Sequence, residues 1–357
     1  MKFSLFYFSD KDGSSAKDQK YKLLLESAKF ADKNGFNAVW TPERHFQPFG
    51  GLYPSPSILS AALAMVTERI QLRAGSVVLP LHNPIRVAEE WSVVDSLSKG
   101  RVGIAVASGW HPDDFVLSPE KFDNRKELMW SQIEVIQRLW KNETVEASDQ
   151  SGNKVNISLF PKPLQPNLPI WVTSQSTESF VKAGKIGANI LTSLLYGPLE
   201  EVEEKILLYR QSLAQHGHDP KAGQVAVMLH TFVGQDYEFV KQKVKKPFIS
   251  YLKNHAGLFE SIIKRFYNVD LQTFTEEDID SLMAFGFERL FDGRVLIGTP
   301  ETCLPMVERL KKAGVDEVAC LIDFGIDFDS LMASLEYVNQ LKNRCGVANQ
   351  SRALLSR

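Results

Sequence analysis

Short apolar runs alternate with longer helical patterns along most of this chain, and this alternation limits the possible fold more than any other feature. Eight runs have the length and composition of buried strands. They begin at Phe3, Ala38, Ile70, Val102, Ile170, Ala188, Val225 and Glu317. Strands separated by helices favour an α/β protein with a parallel sheet that helices cover. Because eight strands close a (β/α)8 TIM barrel, that barrel is the predicted fold.

A doubly wound open sheet is the alternative arrangement for the same alternation. Its dinucleotide-binding form carries a GxGxxG turn directly after the first strand. Here the first strand is followed by Ser9-Asp10-Lys11-Asp12-Gly13-Ser14, which lacks that pattern. The sequence therefore favours the barrel.

The length of 357 residues exceeds the need of a minimal barrel. At about 150 residues per domain it suggests two domains, although α/β barrels often run longer as one unit. Two segments account for the surplus: 141–169, predicted to contain a hairpin, and 236–293, predicted to be mostly helical. We predict one barrel domain over 1–357 with these two insertions, and a polar, aperiodic C-terminal tail over 343–357.

Charge, cysteine content and hydropathy exclude several classes of protein. The 41 Lys and Arg nearly balance the 43 Asp and Glu without a long basic block, which argues against a dedicated nucleic-acid or anionic-membrane binder. Three cysteines without CxxC spacing support neither a disulfide framework nor a zinc site. The apolar N-terminal run is too short for a signal peptide, and no stretch approaches the roughly 18 apolar residues of a membrane span. We expect a reduced, cytoplasmic protein.

Polar residues that follow the predicted strands are the site candidates, because a barrel carries its site at the carboxyl ends of its strands. They are Glu43, Arg44 and His45 after the second strand, His82 after the third, and Trp110 and His111 after the fourth. Histidine titrates near neutral pH, which favours proton handling, although a single histidine is more often a hydrogen-bonded structural residue. Glu43 and Arg44 could pair with each other or position a bound group. No HxH or HExxH spacing supports a metal site, and we expect none.

Two turns have the composition of an anion site. Gln175, Ser176 and Ser179 open the helix after the fifth strand, where hydroxyls, free N–H groups and the helix dipole favour an anion. The alternative is an ordinary N-cap by Ser176. Ser108-Gly109 after the fourth strand is a weaker indication of the same kind, and Gly75-Ser76 after the third allows either close backbone approach or a plain turn.

The chain resembles the bacterial luciferase-like flavin monooxygenases over nearly its whole length. The matching segments are residues 1–8, GFNAVWTPERHF at 35–46, GSVVLPLHNPIRVAEE at 75–90, DSLSKGRVGIAVASG at 95–109 and GTPE at 298–301. The strings RVAEEW, ASGWHPDDF and AGKIGANILT are similar to a subgroup found in natural-product gene clusters. The resemblance implies a (β/α)8 barrel that binds FMN in its reduced form, FMNH2, and uses O2 as a co-substrate.

The resemblance also implies which residues hold the flavin. Gln175, Ser176 and Ser179 match the family's flavin-phosphate segment, and Ser108-Gly109 match the other turn on the phosphate side. Gly75-Ser76 fall where the family has a non-proline cis peptide beside the flavin ring.

For the reactive side, Glu43 and His45 match positions near the reactive edge of the flavin. We therefore predict that His45 handles the proton, with Glu43 and Arg44 orienting it or the substrate. Arg44 stands where luciferase has its catalytic histidine and Ala107 where luciferase has its reactive cysteine, so oxygenation without useful light is expected. The predicted substrate contacts are Trp110, His111 and His82.

The sequence thus predicts an FMNH2-dependent monooxygenase that hydroxylates an organic substrate in natural-product biosynthesis. An acyl or aminoacyl group on an acyl or peptidyl carrier protein is the candidate substrate. A separate flavin reductase and a homodimer are the expected partners. Two alternatives stay open: an F420-dependent oxidoreductase, whose group shares the barrel and its phosphate turns, and a non-catalytic flavin-binding subunit, as one chain of luciferase is.

Overall fold

The structure is a computed structural model. It describes residues 1–8, 20–47, 50–195, 197–254 and 293–355, together with residues 275, 278, 281, 287, 288 and 291. Most of the predicted insertion 236–293 therefore lies outside the described residues. None of the helices in the described ranges combines the length and the hydropathy that a membrane span requires.

Strands and helices alternate along the chain as the sequence predicts. The strands are β1 (Lys2–Phe6), β2 (Ala38–Thr41), β3 (Gln71–Val78), β4 (Val102–Ala107), β5 (Val145–Ser148), β6 (Lys154–Ile157), β7 (Ile170–Thr173), β8 (Asn189–Ser193), β9 (Val225–Val233), β10 (Leu296–Gly298) and β11 (Glu317–Leu321). The helices are α1 (Lys22–Lys33), α2 (Pro56–Ala64), α3 (Pro84–Ser98), α4 (Arg125–Trp140), α5 (Thr177–Lys185), α6 (Leu199–Gln215), α7 (Tyr237–Asn254), α8 (Pro300–Lys312) and α9 (Phe328–Leu355).

Eight parallel strands close into a barrel. Strands β1, β2, β3, β4, β7, β8, β9 and β11 pair in this order, and β11 returns to β1 through the register Lys2↔Glu317 to Phe6↔Leu321. Each of the eight begins within one residue of a run predicted from the sequence. The prediction of a (β/α)8 barrel is confirmed.

Two short strand pairings lie outside this ring. β5 and β6 pair with each other in antiparallel fashion, within the segment 141–169 that was predicted to contain a hairpin. β10 extends the sheet beside the end of β9, where Leu296 pairs with Thr231. Neither pairing interrupts the closed ring of eight.

Helix boundaries follow ordinary capping chemistry next to the barrel mouth. The Asn83 side chain caps α3 by accepting a hydrogen bond from the backbone N–H of Ile85, and Pro84 fills the first helical position. Ser176 caps α5 by accepting from the backbone N–H of Ser179. These caps fix the points at which the chain leaves the ends of β3 and β7.

The final helix is where the prediction is wrong. The segment 343–357, predicted to be an aperiodic tail, is helical as far as Leu355 because α9 begins at Phe328 and runs on through it. Its buried residues Leu331, Leu335 and Val338 recur every three or four positions, and α9 packs against α8. The helical spacing begins before the polar segment, so the composition of 343–357 alone does not show it.

A buried ion pair fills the barrel near the amino ends of the strands. Arg73 Nη1 lies 3.0 Å from both carboxylate oxygens of Glu317, and the guanidinium lies 4.2 Å from the ring centroid of Trp171. Trp40 Nε1 donates to Glu317 Oε1 at 3.2 Å, and Asn37 Nδ2 donates to Glu317 Oε2. We call Arg73, Glu317, Trp40 and Asn37 the base cluster; its charges are paired and shielded from water.

Candidate active site

A cavity of about 350 Å³ opens at the carboxyl ends of the barrel strands. Its wall is mostly apolar, with contributions from Phe6, Phe8, Val78, Leu191, Leu195, Met228 and Tyr251. The charged residues on the wall are Glu43, Arg44 and Asp114. An apolar cavity of this size with a few converging polar groups is typical of a small-molecule site.

The structure brings many of the predicted site residues to this cavity, but not all of them. Those on the described wall are Glu43, Arg44, Gly75, Ser76, Ser108, Gly109, Trp110 and Gln175. Those that the described wall does not include are His45, His82, His111, Ser176 and Ser179. His45, His111 and Ser176 adjoin wall residues in sequence, His82 bonds to Glu43 on the wall, and Ser179 bonds to Ser176.

Glu43 joins two of the predicted histidines. Its Oε1 accepts a hydrogen bond from His45 Nε2 at 2.8 Å and from His82 Nε2 at 2.6 Å, and its Oε2 accepts from the backbone N–H of Val78 at 2.7 Å. Because an ionised carboxylate only accepts hydrogen bonds, each histidine carries a hydrogen on Nε2. We call Glu43, His45 and His82 the cavity cluster.

Electrostatics keep this cluster charged. Burial works to raise the pKa of Glu43, but the hydrogen bonds from His45, His82 and Val78 outweigh burial and hold that pKa below its ordinary value. Burial works to lower the pKa of His82, but the hydrogen bond and the charge of Glu43 outweigh it and raise that pKa. The arrangement therefore holds a proton on an imidazole directly behind the cavity wall.

His82 lies on the outer side of this cluster. Its side chain is 35% exposed, against 11% for His45 and 0% for Glu43. His82, a predicted substrate contact, lies off the described wall and bonds to Glu43 on it. The cluster connects the cavity, through Glu43, to a histidine that reaches solvent.

Arg44 lies on aromatic faces at the cavity wall. Its guanidinium carbon is 4.4 Å from the ring centroid of Phe8 and 5.4 Å from that of Trp110. The chain at Gly50, with φ of 76°, packs so closely on Arg44 that a Cβ there would overlap the Arg44 side chain. The pairing of Glu43 with Arg44, one of the open sequence interpretations, does not occur, because Glu43 bonds the histidines and Val78 instead.

The turn after β4 has no room for a side chain. Gly109 has φ of 79°, and a Cβ there would lie 2.8 Å from atoms of Phe115 and Val78. Arg125 Nε, at the start of α4, donates to the Gly109 carbonyl at 3.2 Å. Sequence reasoning missed Arg125, because no local motif connects it with a turn 16 residues earlier.

At the start of α5 the hydroxyls bond to one another. Ser176 Oγ accepts from the backbone N–H of Ser179 at 3.2 Å and lies 2.9 Å from Ser179 Oγ, so Ser176 caps α5, which leaves the other N–H groups of that turn open to an anion. Gln175 Nε2 donates to the carbonyl oxygen and hydroxyl of Ser193, at 3.2 and 3.0 Å. Gln175 thus ties the end of β7 to the end of β8 on the cavity wall.

The peptide bond between Gly75 and Ser76 is cis, as the family resemblance implies. A Cβ at Gly75 would lie 2.8 Å from the ring of Phe6 and 3.0 Å from Trp40 Cβ, so the position requires glycine. The Ser76 hydroxyl bonds to that of Thr173. This strand end therefore packs tightly between the cavity floor and the neighbouring strand β7.

Asp114 and Thr192 are among the wall residues that were not predicted. Asp114 is 4% exposed, and burial raises the pKa of its carboxyl while the charges of Arg44 and His111 oppose that rise. Thr192 Oγ1 is buried and has no hydrogen-bond partner within the described part of the chain. Neither residue stands in a recognisable motif, since Asp114 follows another aspartate and Thr192 lies inside an apolar strand.

Comparison with known proteins gives one consistent family. A family model described as luciferase-like monooxygenase matches residues 1–317. The oxygenase component of the flavin-dependent trigonelline monooxygenase of Acinetobacter baylyi is 27% identical over 340 residues, which cover 94% of this chain and 93% of that protein. The alkanal monooxygenase alpha chain of Photorhabdus luminescens is 22% identical and covers 94% of this chain and 95% of its own.

Solved structures share the fold. A monooxygenase from Streptomyces bottropensis has a TM-score of 0.76 at 21% identity, covering 95% of this chain and 98% of its own. The oxygenating constituent of 3,6-diketocamphane monooxygenase from Pseudomonas putida, determined in complex with FMN, has a TM-score of 0.75 at 19% identity and covers 95% and 96%. At these identities the likeness concerns the barrel itself.

Proposed function

The chain belongs to the luciferase-like monooxygenase family, and we propose that it hydroxylates an organic substrate with O2 and reduced FMN. The observation that carries this proposal is the cavity at the carboxyl ends of the strands. Its wall combines tight glycine turns with the carboxylate of the cavity cluster. A flavin monooxygenase needs such a site to bind a flat cofactor, exclude water and manage a proton.

The wall residues fit a flavin. A flat ring needs close approach of the backbone, and Gly75 and Gly109 lie on the cavity wall without a side chain to prevent it. The buried Thr192 hydroxyl, without a partner among the described residues, can bond to a polar edge of the ring. The remaining wall is largely apolar, as an isoalloxazine requires.

Ser108, Gly109, Gln175, Ser176 and Ser179 would hold the flavin phosphate, in line with the family resemblance. The helix dipole of α5 favours an anion at its first turn. Arg125 adds a permanent positive charge at the Gly109 turn. When bound, the reduced flavin supplies the electrons for O2 chemistry.

His45 and Glu43 manage the proton. His45 holds a hydrogen on Nε2 against Glu43 Oε1, so a positive charge gained by the imidazole is compensated at once by the carboxylate. Glu43 itself lies on the cavity wall and connects that proton to the bound reactants. The apolar residues around it keep bulk water away from the reacting atoms.

The expected partners follow from the name of a relative and from the surface. The relative from Acinetobacter baylyi is named an oxygenase component, which supports a separate reductase that would supply FMNH2 here.

Helices α2 and α3 pack together and, with the residue that follows α2, expose apolar side chains, among them Ile58, Met65 and Leu97, which supports a homodimer through this face. Sedimentation velocity of the wild type and of an Ile58→Glu, Leu97→Glu double variant tests the dimer.

The proposal can be narrowed to a type of biosynthesis and a type of substrate. The strings RVAEEW, ASGWHPDDF and AGKIGANILT support a place in natural-product biosynthesis, with an acyl or aminoacyl substrate on a carrier protein. Comparing turnover of one substrate free and attached to a carrier protein tests this narrower proposal. Equal turnover of both would contradict the need for a carrier.

Anaerobic titration with FMNH2 and with reduced F420 tests the cofactor. We expect FMNH2 to bind with a Kd of about 10 μM or below, and F420 at least about tenfold more weakly.

A variant of the glycine turn tests the same site. Gly109→Val should abolish FMNH2 binding, because its side chain would overlap Phe115 and Val78. Gly152→Val is the matched control: its φ of 81° is as strained, but it lies in the β5–β6 hairpin with nothing within 4 Å. Tighter binding of F420, or of neither cofactor, would overturn the proposal.

A further inference from the structure

Asp114 is a buried acid without a structural task in the described chain. It lies in the short 3-10 helix Pro112–Leu117 after β4, is 4% exposed and contributes to the cavity wall. Its side chain does not cap that helix. Within the ranges that the structure describes, no donor or cation lies within bonding distance of its carboxylate. A carboxylate buried in this way is costly unless something bonds to it.

The preceding residue, Asp113, provides the contrast. Its side chain is 66% exposed, and one oxygen lies 3.9 Å from His111 Nδ1. It does not contribute to the described cavity wall. Of two adjacent acids in the same turn, one therefore lies in solvent and the other faces the cavity.

The surroundings of Asp114 indicate what would bond to it. Arg44 acts on the Asp114 carboxyl through its charge, and its guanidinium lies over the rings of Phe8 and Trp110 on the same wall. Burial raises the pKa of the Asp114 carboxyl, and the positive charge of Arg44 opposes that rise. Because Asp114 lies on the cavity wall, a bound molecule can supply a partner, and a carboxylate in an apolar cavity binds a charged N–H donor most strongly.

We propose that Asp114 determines substrate specificity by pairing with the protonated amine of an amine-bearing organic substrate. Phe8 and Trp110 line the same cavity and add to its apolar surface. The inference rests on the proposed function, because it takes this cavity as the place where the substrate is oxygenated. It adds the substrate's charge, which neither the family nor the relatives' names give for this chain.

The test compares three probes of similar size: benzylamine, benzyl alcohol and benzoate. Calorimetric titration of the wild type loaded anaerobically with FMNH2 should give the order benzylamine, then benzyl alcohol, then benzoate, with about a tenfold step between the first two. In Asp114→Asn, which keeps the shape of the side chain, benzylamine and benzyl alcohol should bind within about twofold of each other. Asp113→Asn is the matched control and should keep the wild-type order.

Binding of FMNH2 to Asp114→Asn separates this inference from the proposed function. Unchanged FMNH2 affinity with lost amine preference supports the inference. Unchanged amine preference overturns it and leaves the flavin proposal standing, and so does a parallel loss of FMNH2 and benzylamine binding, since Asp114 would then serve the cofactor. If the variant does not fold, the wild-type order decides: benzoate binding as tightly as benzylamine overturns the inference.

Discussion

Two buried charge clusters lie in the described part of the barrel, one at each end, and they differ in what surrounds them. In the base cluster, Arg73 and Glu317 are both less than 5% exposed and bond to each other, while Trp40 and Asn37 donate to the carboxylate. In the cavity cluster, Glu43 is equally buried, but one of its histidines, His82, is 35% exposed. One cluster is sealed inside the protein and the other connects the cavity with solvent.

The chemistry of the partners differs in the same way. Arginine stays protonated at any physiological pH, so the base cluster has a fixed charge. Histidine changes its charge near neutral pH, so the cavity cluster can gain and lose a proton without being rebuilt. A buried carboxylate with a permanently charged partner can hold the fold, whereas one whose partner titrates can also take up and release a proton.

The largest effect is expected from breaking the base cluster. Arg73→Met leaves Glu317 buried without its cation and should lower the free energy of unfolding by about 3–5 kcal/mol. Urea denaturation at neutral pH measures this. Arg86→Met removes an exposed arginine that pairs with Glu90 and should cost about 1 kcal/mol or less. A loss for Arg73→Met no larger than for Arg86→Met would contradict a structural role for the base cluster.

Replacing Glu43 should have the next largest effect. Glu43→Ala leaves two imidazole N–H groups and the Val78 N–H without their acceptor and should lower the free energy of unfolding by about 2–3 kcal/mol. Glu43→Gln keeps one acceptor oxygen and should cost about 1 kcal/mol, while substrate oxygenation falls by about 10²-fold or more. Oxygenation by Glu43→Gln at the wild-type rate would remove Glu43 from the proton path.

The contribution of the cavity cluster to stability depends on pH. The pKa of Glu43 is lowered from 4.5, so its contribution is present above that value and is lost as pH falls through the folded-state pKa. The pKa of His82 is raised from 6.5, so its contribution is present below that value and is lost as pH rises through the folded-state pKa. The cavity cluster therefore stabilises the protein most between pH 4.5 and 6.5.

His82→Gln checks this sign. Its destabilisation should be about 1 kcal/mol near pH 5.5 and should shrink near pH 8.5, as measured by urea denaturation at both values. Ser131→Ala, which removes an exposed hydroxyl that does not titrate, is the control and should show no such trend. A difference between wild type and His82→Gln that grows with pH would contradict the assigned pKa direction.

The smallest expected effect has the opposite sign. Burial raises the pKa of Asp114 above 3.8, so the ionised group destabilises the folded protein once pH exceeds its folded-state pKa. Asp114→Asn should therefore raise the free energy of unfolding at neutral pH by about 0.5 kcal/mol and lose this advantage in acid. The exposed Asp113→Asn serves as control. Destabilisation by Asp114→Asn would indicate a structural partner for this carboxyl.

Most of the fold could be predicted from local patterns in the sequence. The eight barrel strands are mostly buried on both faces and contain short apolar runs, so they can be recognised without a structure. The final helix was missed because its buried positions begin at Leu331, ahead of the polar stretch from 343.

Bonded partners were grouped from the sequence only where they are close together in the chain. Glu43 and His45 are two residues apart and were grouped from sequence, whereas His82 joins the same oxygen from 39 residues away. Arg73 and Glu317 are separated by 244 residues and could not be paired. Nothing in the string Asp113-Asp114 tells which acid is buried, because that choice depends on how the turn after β4 folds over the cavity.

Amide hydrogen exchange with and without FMNH2, under anaerobic conditions, tests the central claim most directly. We expect the reduced flavin to slow exchange in the turn at Ser108-Gly109 and in the first turn of α5. Exchange around Asn37 at the opposite end of the barrel should be unchanged. Protection confined to the amino ends of the strands, or no protection at saturating FMNH2, would contradict it.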